Sequence, residues 1–175
     1  MLALSNAIDA IRTFMERGGD VLFLILLVLL IMWALIVERL WFYWVEYRKQ
    51  RNQIVGAWEA REERKSWYAH KIRKAMLSEA SDSLMRGVSM IKTLVALCPL
   101  IGLLGTVTGM IEVFDVMASQ GSSNARAMAA GVSKATIPTM SGMVAALSGV
   151  FLSTYIERKA KREKEGLEDS LTTDH

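Results

Sequence analysis

Two threonines, Thr106 and Thr139, are the residues of this 175-residue chain whose type and spacing best suit them for chemistry. Each lies inside a long run without charge, and a hydroxyl both donates and accepts a hydrogen bond. Thr106 stands five residues before the end of its run, and Thr139 four residues after the start of its own. If the runs are antiparallel helices rising about 1.5 Å per residue, the two hydroxyls share one depth, about 7 Å inside the same boundary. Spacing alone leaves two readings open. Membrane threonines can simply bond back to their own helix, or the pair can line a polar pathway. No Asp, Glu, Lys, Arg or His falls within the runs, whereas a proton relay usually requires a titratable group at membrane depth. The chain is therefore not a complete proton pathway by itself.

Charges gather at the ends of the runs. Glu112 and Asp115 follow the second, Lys134 precedes the third, and Glu157 closes it. Lys134 is expected to snorkel to the interface and pair with Glu112, Asp115 or a partner's acid. A plain boundary charge is the competing reading, and Lys134→Glu is expected to be tolerated. Elsewhere the inventory excludes more than it offers. Cys98 is the single cysteine and His70 and His175 are far apart, so neither a disulfide nor a metal-ligand cluster is expected. No nucleophile elbow, P-loop or dinucleotide fingerprint is present, which argues against an enzyme and against a cofactor. The modest net charge of +3 marks no nucleic-acid partner; what matters is where the basic residues sit.

The elements that position the threonines are three transmembrane helices, at 20–37, 93–111 and 135–156. Their uncharged windows hold 17, 19 and 22 residues, within the range of about 17–25 needed to cross the hydrocarbon. Backbone groups cannot go unpaired in lipid, so each must be helical. Three such windows as buried helices of a soluble protein would leave almost no amphipathic surface to cover them. The first is read as a retained anchor, because Asp9 and Glu16 precede it and Glu38-Arg39-Leu40-Trp41 follows it instead of a small-residue cleavage site.

Lysine and arginine set the orientation, with 17 in residues 38–92 and 157–175 against 4 elsewhere. The positive-inside rule then puts both basic regions in the cytoplasm and the N-terminus and the 112–134 connection outside. Trp41, Phe42, Tyr43 and Trp44 form an aromatic belt at the inner interface. Residues 1–19 read as an amphipathic helix lying on the outer face, ended by Gly18-Gly19. Region 38–92 reads as cytoplasmic helices capped at Ser66 and Ser81, with Leu84, Val88, Ile91 and Val95 leading without a break into the second span. Segment 157–175 extends the third helix with a basic end, and its tail from 165 on is expected to be disordered. The fold class is all-α, an integral membrane protein with long cytoplasmic helix extensions.

Small residues dominate the second and third spans. Gly102, Gly105 and Gly109 recur every three or four positions in Pro-Leu-Ile-Gly-Leu-Leu-Gly-Thr-Val-Thr-Gly-Met-Ile. In the third span Thr139, Gly142, Ala146 and Gly149 share a side. Such faces let helix backbones approach closely and let hydroxyls bond across them.

That run, followed by a Thr-x-x-Gly-x-x-Ala-Ala third span, resembles the MotA/TolQ/ExbB proton-channel family, and within it the shorter ExbB-type members. The motif match covers about residues 98–150. The resemblance implies a bacterial inner-membrane protein forming a homo-oligomer, a pentamer, around a dimer of an ExbD-like single-span protein that brings an aspartate. It further implies a TonB-like protein energised for outer-membrane uptake, as of iron–siderophore complexes. The family's two pore threonines fall on Thr106 and Thr139. Two departures stand out: Lys134 where better-known members have a glutamate, and Ser148 where they have a proline. A TolQ-like envelope subunit, a flagellar-stator-like subunit and a non-conducting scaffold are the competing readings.

Overall fold

A computed structural model describes residues 2–121 and 124–172. Met1, positions 122–123 of the 112–134 connection and 173–175 of the tail lie outside the described residues. Among those described there is no strand. The helices are α1 (Leu2–Gly18), α2 (Asp20–Trp41), α3 (Tyr47–Glu59), α4 (Trp67–Met85), α5 (Val88–Gln120) and α6 (Ala125–Ser170), with a π-helical stretch at Phe42–Glu46. Three helical stretches, in which α2, α5 and α6 carry the apolar windows, are long and apolar enough to cross a membrane. The protein is thus an all-α, multi-pass membrane protein.

One unit comprises Met1–Trp33 and Thr93–Val150. Its buried cluster joins Leu22 and Ile25 of α2, Cys98 of α5, and Ala145 and Ala146 of α6. Burial is confined to such narrow seams, while Leu100, Leu103, Leu104, Val107, Val144 and Leu147 remain exposed. Apolar surface turned outward on this scale is what lipid or further subunits cover. Gly19 breaks α1 from α2 with φ of 72°, a left-handed conformation that favours glycine. The expected 112–134 loop is mostly helix, since α5 continues to Gln120 and α6 begins at Ala125.

The other unit comprises Ala34–Lys92 and Phe151–His175. Its core packs Trp58 of α3, Ala69 and Ala80 of α4, and Leu167 and Leu171 at the end of α6. Ser66 caps α4, its hydroxyl accepting from the Ala69 N–H at 3.2 Å. Ser81 is no cap; it lies inside α4, which closes at Met85. Leu84, Val88, Ile91 and Val95 are all buried as their spacing implies, yet the helix does break between them. Gly87 turns the chain at φ of 76°, and a Cβ there would meet Arg39 Nε at 3.3 Å. The tail expectation fails through Thr172. Arg73 donates to the Glu168 and Leu171 carbonyls at 2.9 and 2.6 Å, and Trp58 Nε1 to the Thr172 carbonyl at 3.0 Å. These donors satisfy carbonyls that a helix end leaves without partners.

Candidate functional site

The site is built where α5 crosses α6 within the first unit. Glycine makes the approach possible. A Cβ on Gly102 would meet the Pro138 carbonyl at 2.8 Å and Thr139 Cα at 3.0 Å. One on Gly109 would meet Ala135 Cα at 2.5 Å, and one on Gly142 the Cys98 carbonyl at 2.5 Å. Gly105 packs on the Pro138 ring, and Ala146 joins the buried cluster with Cys98. A side chain at Gly102, Gly109 or Gly142 would displace backbone of the facing helix, and Gly102, Gly105, Gly109, Gly142 and Ala146 all sit in the α5–α6 seam or beside it.

Within that seam the structure brings Thr106 and Thr139 together. Their hydroxyls are hydrogen-bonded to each other. Thr139 Oγ1 also donates to the Gly102 carbonyl across the helices at 3.0 Å, while Thr106 Oγ1 lies 3.4 Å from the same carbonyl on its own helix. Back-bonding within one helix therefore describes Thr106 in part and Thr139 not at all. Both threonines are half-buried, so the pair remains open on one side. Pro138, next to Thr139, has no N–H to offer the Lys134 carbonyl one turn back.

Nearer the α5–α6 connection, Lys134 Nζ holds both carboxylate oxygens of Glu112, at 3.0 and 2.8 Å. The stem of Lys134 lies against Gly19, where a Cβ would stand 2.8 Å from its Cε. Asp115 is exposed, and its carbonyl accepts from Ser119 Oγ at 2.9 Å. Lys134 and Glu112 also border a recess of about 150 Å³ shared with Asp20, Thr108 and the Gly18-Gly19 turn. Asp20 and Thr108 were not singled out from sequence. The available signal was Asp20's place directly after Gly-Gly, at the boundary where Glu112 and Lys134 also fall. Among the described residues no group of His, Cys, Asp and Glu could hold a metal ion.

Chemically, the site offers two hydroxyls and a carbonyl where α5 crosses α6, with the Lys134–Glu112 ion pair nearer the α5–α6 connection. Comparison with known proteins gives this arrangement a context. The family described as the MotA/TolQ/ExbB proton channel family matches residues 47–169. A Synechocystis sp. protein named biopolymer transport protein ExbB-like 1 is 43% identical over 65 residues, covering 35% of this chain and 26% of its own length. A second from the same organism, ExbB-like 3, is 33% identical over 84 residues, covering 44% of this chain and 40% of its own. The chain thus spans 26% and 40% of the length of these two relatives. No solved structure matches it.

Proposed function

This chain belongs to the MotA/TolQ/ExbB proton channel family, and on that premise we propose that it is the ring-forming subunit of a proton-driven inner-membrane motor. In this reading several copies, five by the family resemblance, surround an ExbD-like single-span partner, and the complex energises a TonB-like protein for outer-membrane uptake. The ExbB-like, biopolymer-transport names of the relatives support the ExbB-type reading of the chain.

The observation that carries the proposal is the joined Thr106–Thr139 pair in spans that hold no Asp, Glu, Lys, Arg or His. An aspartate supplied by the partner would be costly to ionise in hydrocarbon, and its pKa would rise. When protonated, the acid donates to a lone pair of Thr106 Oγ1, leaving the threonines bonded to each other. When ionised, it needs a donor, so Thr106 turns its O–H from Thr139 to the carboxylate. Thr139 stays anchored on the Gly102 carbonyl throughout. The same site thus holds both protonation states by rotating one hydroxyl, and alternating access to water would let proton transfer move the partner against the ring.

Vesicles reconstituted with this chain alone should carry no proton flux above empty vesicles, and addition of the partner should start it. Comparable flux from the chain alone would contradict a shared site.

A further inference from the structure

An apolar groove of about 580 Å³ runs between α2 and α6 in the first unit, with Phe14 and Met15 of α1 also lining it. Its α6 wall is the stripe Ile137, Met140, Ser141, Val144 and Ser148. Ser141 and Ser148 donate to their own helix's carbonyls, at 2.9 and 2.7 Å, so the wall offers a guest essentially hydrocarbon. The α1–α2 turn marks one end, because Gly18 lies against Leu22 and Ile137. One helical turn beyond Ile137 on the same stripe, a recess of about 400 Å³ is lined by Ala130 and Ser133 with the charged Glu16 and Lys134.

Length and charge identify the guest. From Ile137 to Ser148 the groove spans about 16 Å at the helical rise. The hydrocarbon of a single leaflet is about 15 Å deep, half the thickness of the bilayer core. A helix from another subunit, about 10–12 Å across with its side chains, would cross the whole membrane and has no need of opposite charges at one end. A phospholipid has use for both features.

We propose that groove and recess bind one ethanolamine phospholipid of the leaflet on the side of the α5–α6 connection. An acyl chain lies along α6, the phosphate meets Lys134, and the ammonium meets Glu16. Lys134 bonds Glu112 but has three N–H donors, and Glu16 meets Arg12 at 3.1 Å through one of its two oxygens. Both heads therefore retain capacity for the lipid.

The test is photo-crosslinking of the full chain in vesicles of equal phosphatidylethanolamine and phosphatidylglycerol, with benzoylphenylalanine in place of Met140. The adduct should have the mass of one phospholipid, with ethanolamine favoured about threefold, the scale of an exposed ion pair. Glu16→Gln should remove that preference. Val144→Trp, at a position 68% exposed, should fill the groove and lower lipid adducts of both kinds. Crosslinks to a second copy of the chain or to another protein would overturn the proposal. So would lipid adducts indifferent to Val144→Trp, which report bulk bilayer, or an ethanolamine preference unchanged in Glu16→Gln.

Discussion

Hydrogen bonds between helices in a membrane contribute about 0.6 kcal/mol on average, so the Thr106–Thr139–Gly102 cluster adds little to stability. Its proposed value is chemical. Counting residues from the ends of the spans was enough to foresee the shared depth of the two hydroxyls. It could not reveal the Gly102 carbonyl as their common acceptor, because that contact depends on how closely α5 and α6 approach. Lys134 shows the same limit. Its sequence position allowed Glu112, Asp115 or a partner's acid, and the structure selects Glu112. This choice reverses the expectation for Lys134→Glu, which now places two carboxylates together. Lys134→Glu should lower the thermal midpoint and proton-coupled uptake, and the exchange Lys134→Glu/Glu112→Lys should restore both. The coupling should stay below about 1 kcal/mol, as for other exposed pairs. A double variant no better than Lys134→Glu would contradict the pairing.

The apolar spans, the Ser66 cap and the helical character of residues 38–92 were legible because uncharged length and capping chemistry are local signals. The break at Gly87 and the docked end of α6 were not. Gly87 is one glycine in a good helical pattern, and Arg39, which packs against its turn, approaches from a distant segment. Likewise the tail is polar enough to read as disordered, and order comes from Arg73 and Trp58. Tyr47 gives this region a pH signature. Its hydroxyl donates to the Glu163 carbonyl of α6 at 3.2 Å, and burial, reinforced by Glu163, pushes its pKa from 10.0 up to about 12. A raised pKa in the folded state means this stabilisation is complete below pH 10 and is lost as pH rises towards 12. The thermal midpoint of the full chain should fall over that interval, and less steeply in Tyr47→Phe. Identical slopes would exclude Tyr47 as a contributor.

At the scale of the molecule, the distribution of basic residues, 17 against 4, carries the proposed orientation, with residues 38–92 and 157–175 in the cytoplasm. In a Cys98→Ala background, Ala118→Cys should react with an impermeant thiol reagent from outside intact cells and Ser78→Cys should not. Equal labelling would contradict this orientation. The central claim concerns the hydroxyls themselves, and proton flux through vesicles holding this chain with its partner addresses it directly. Thr106→Val preserves shape but removes the O–H that turns between Thr139 and the carboxylate, whereas Thr106→Ser keeps it. Flux should drop about tenfold or more in Thr106→Val, matching about 1.4 kcal/mol or more on the barrier, and remain near the unsubstituted level in Thr106→Ser, with assembly intact in both. Full flux in Thr106→Val and Thr139→Val alike would show that the acid needs neither hydroxyl.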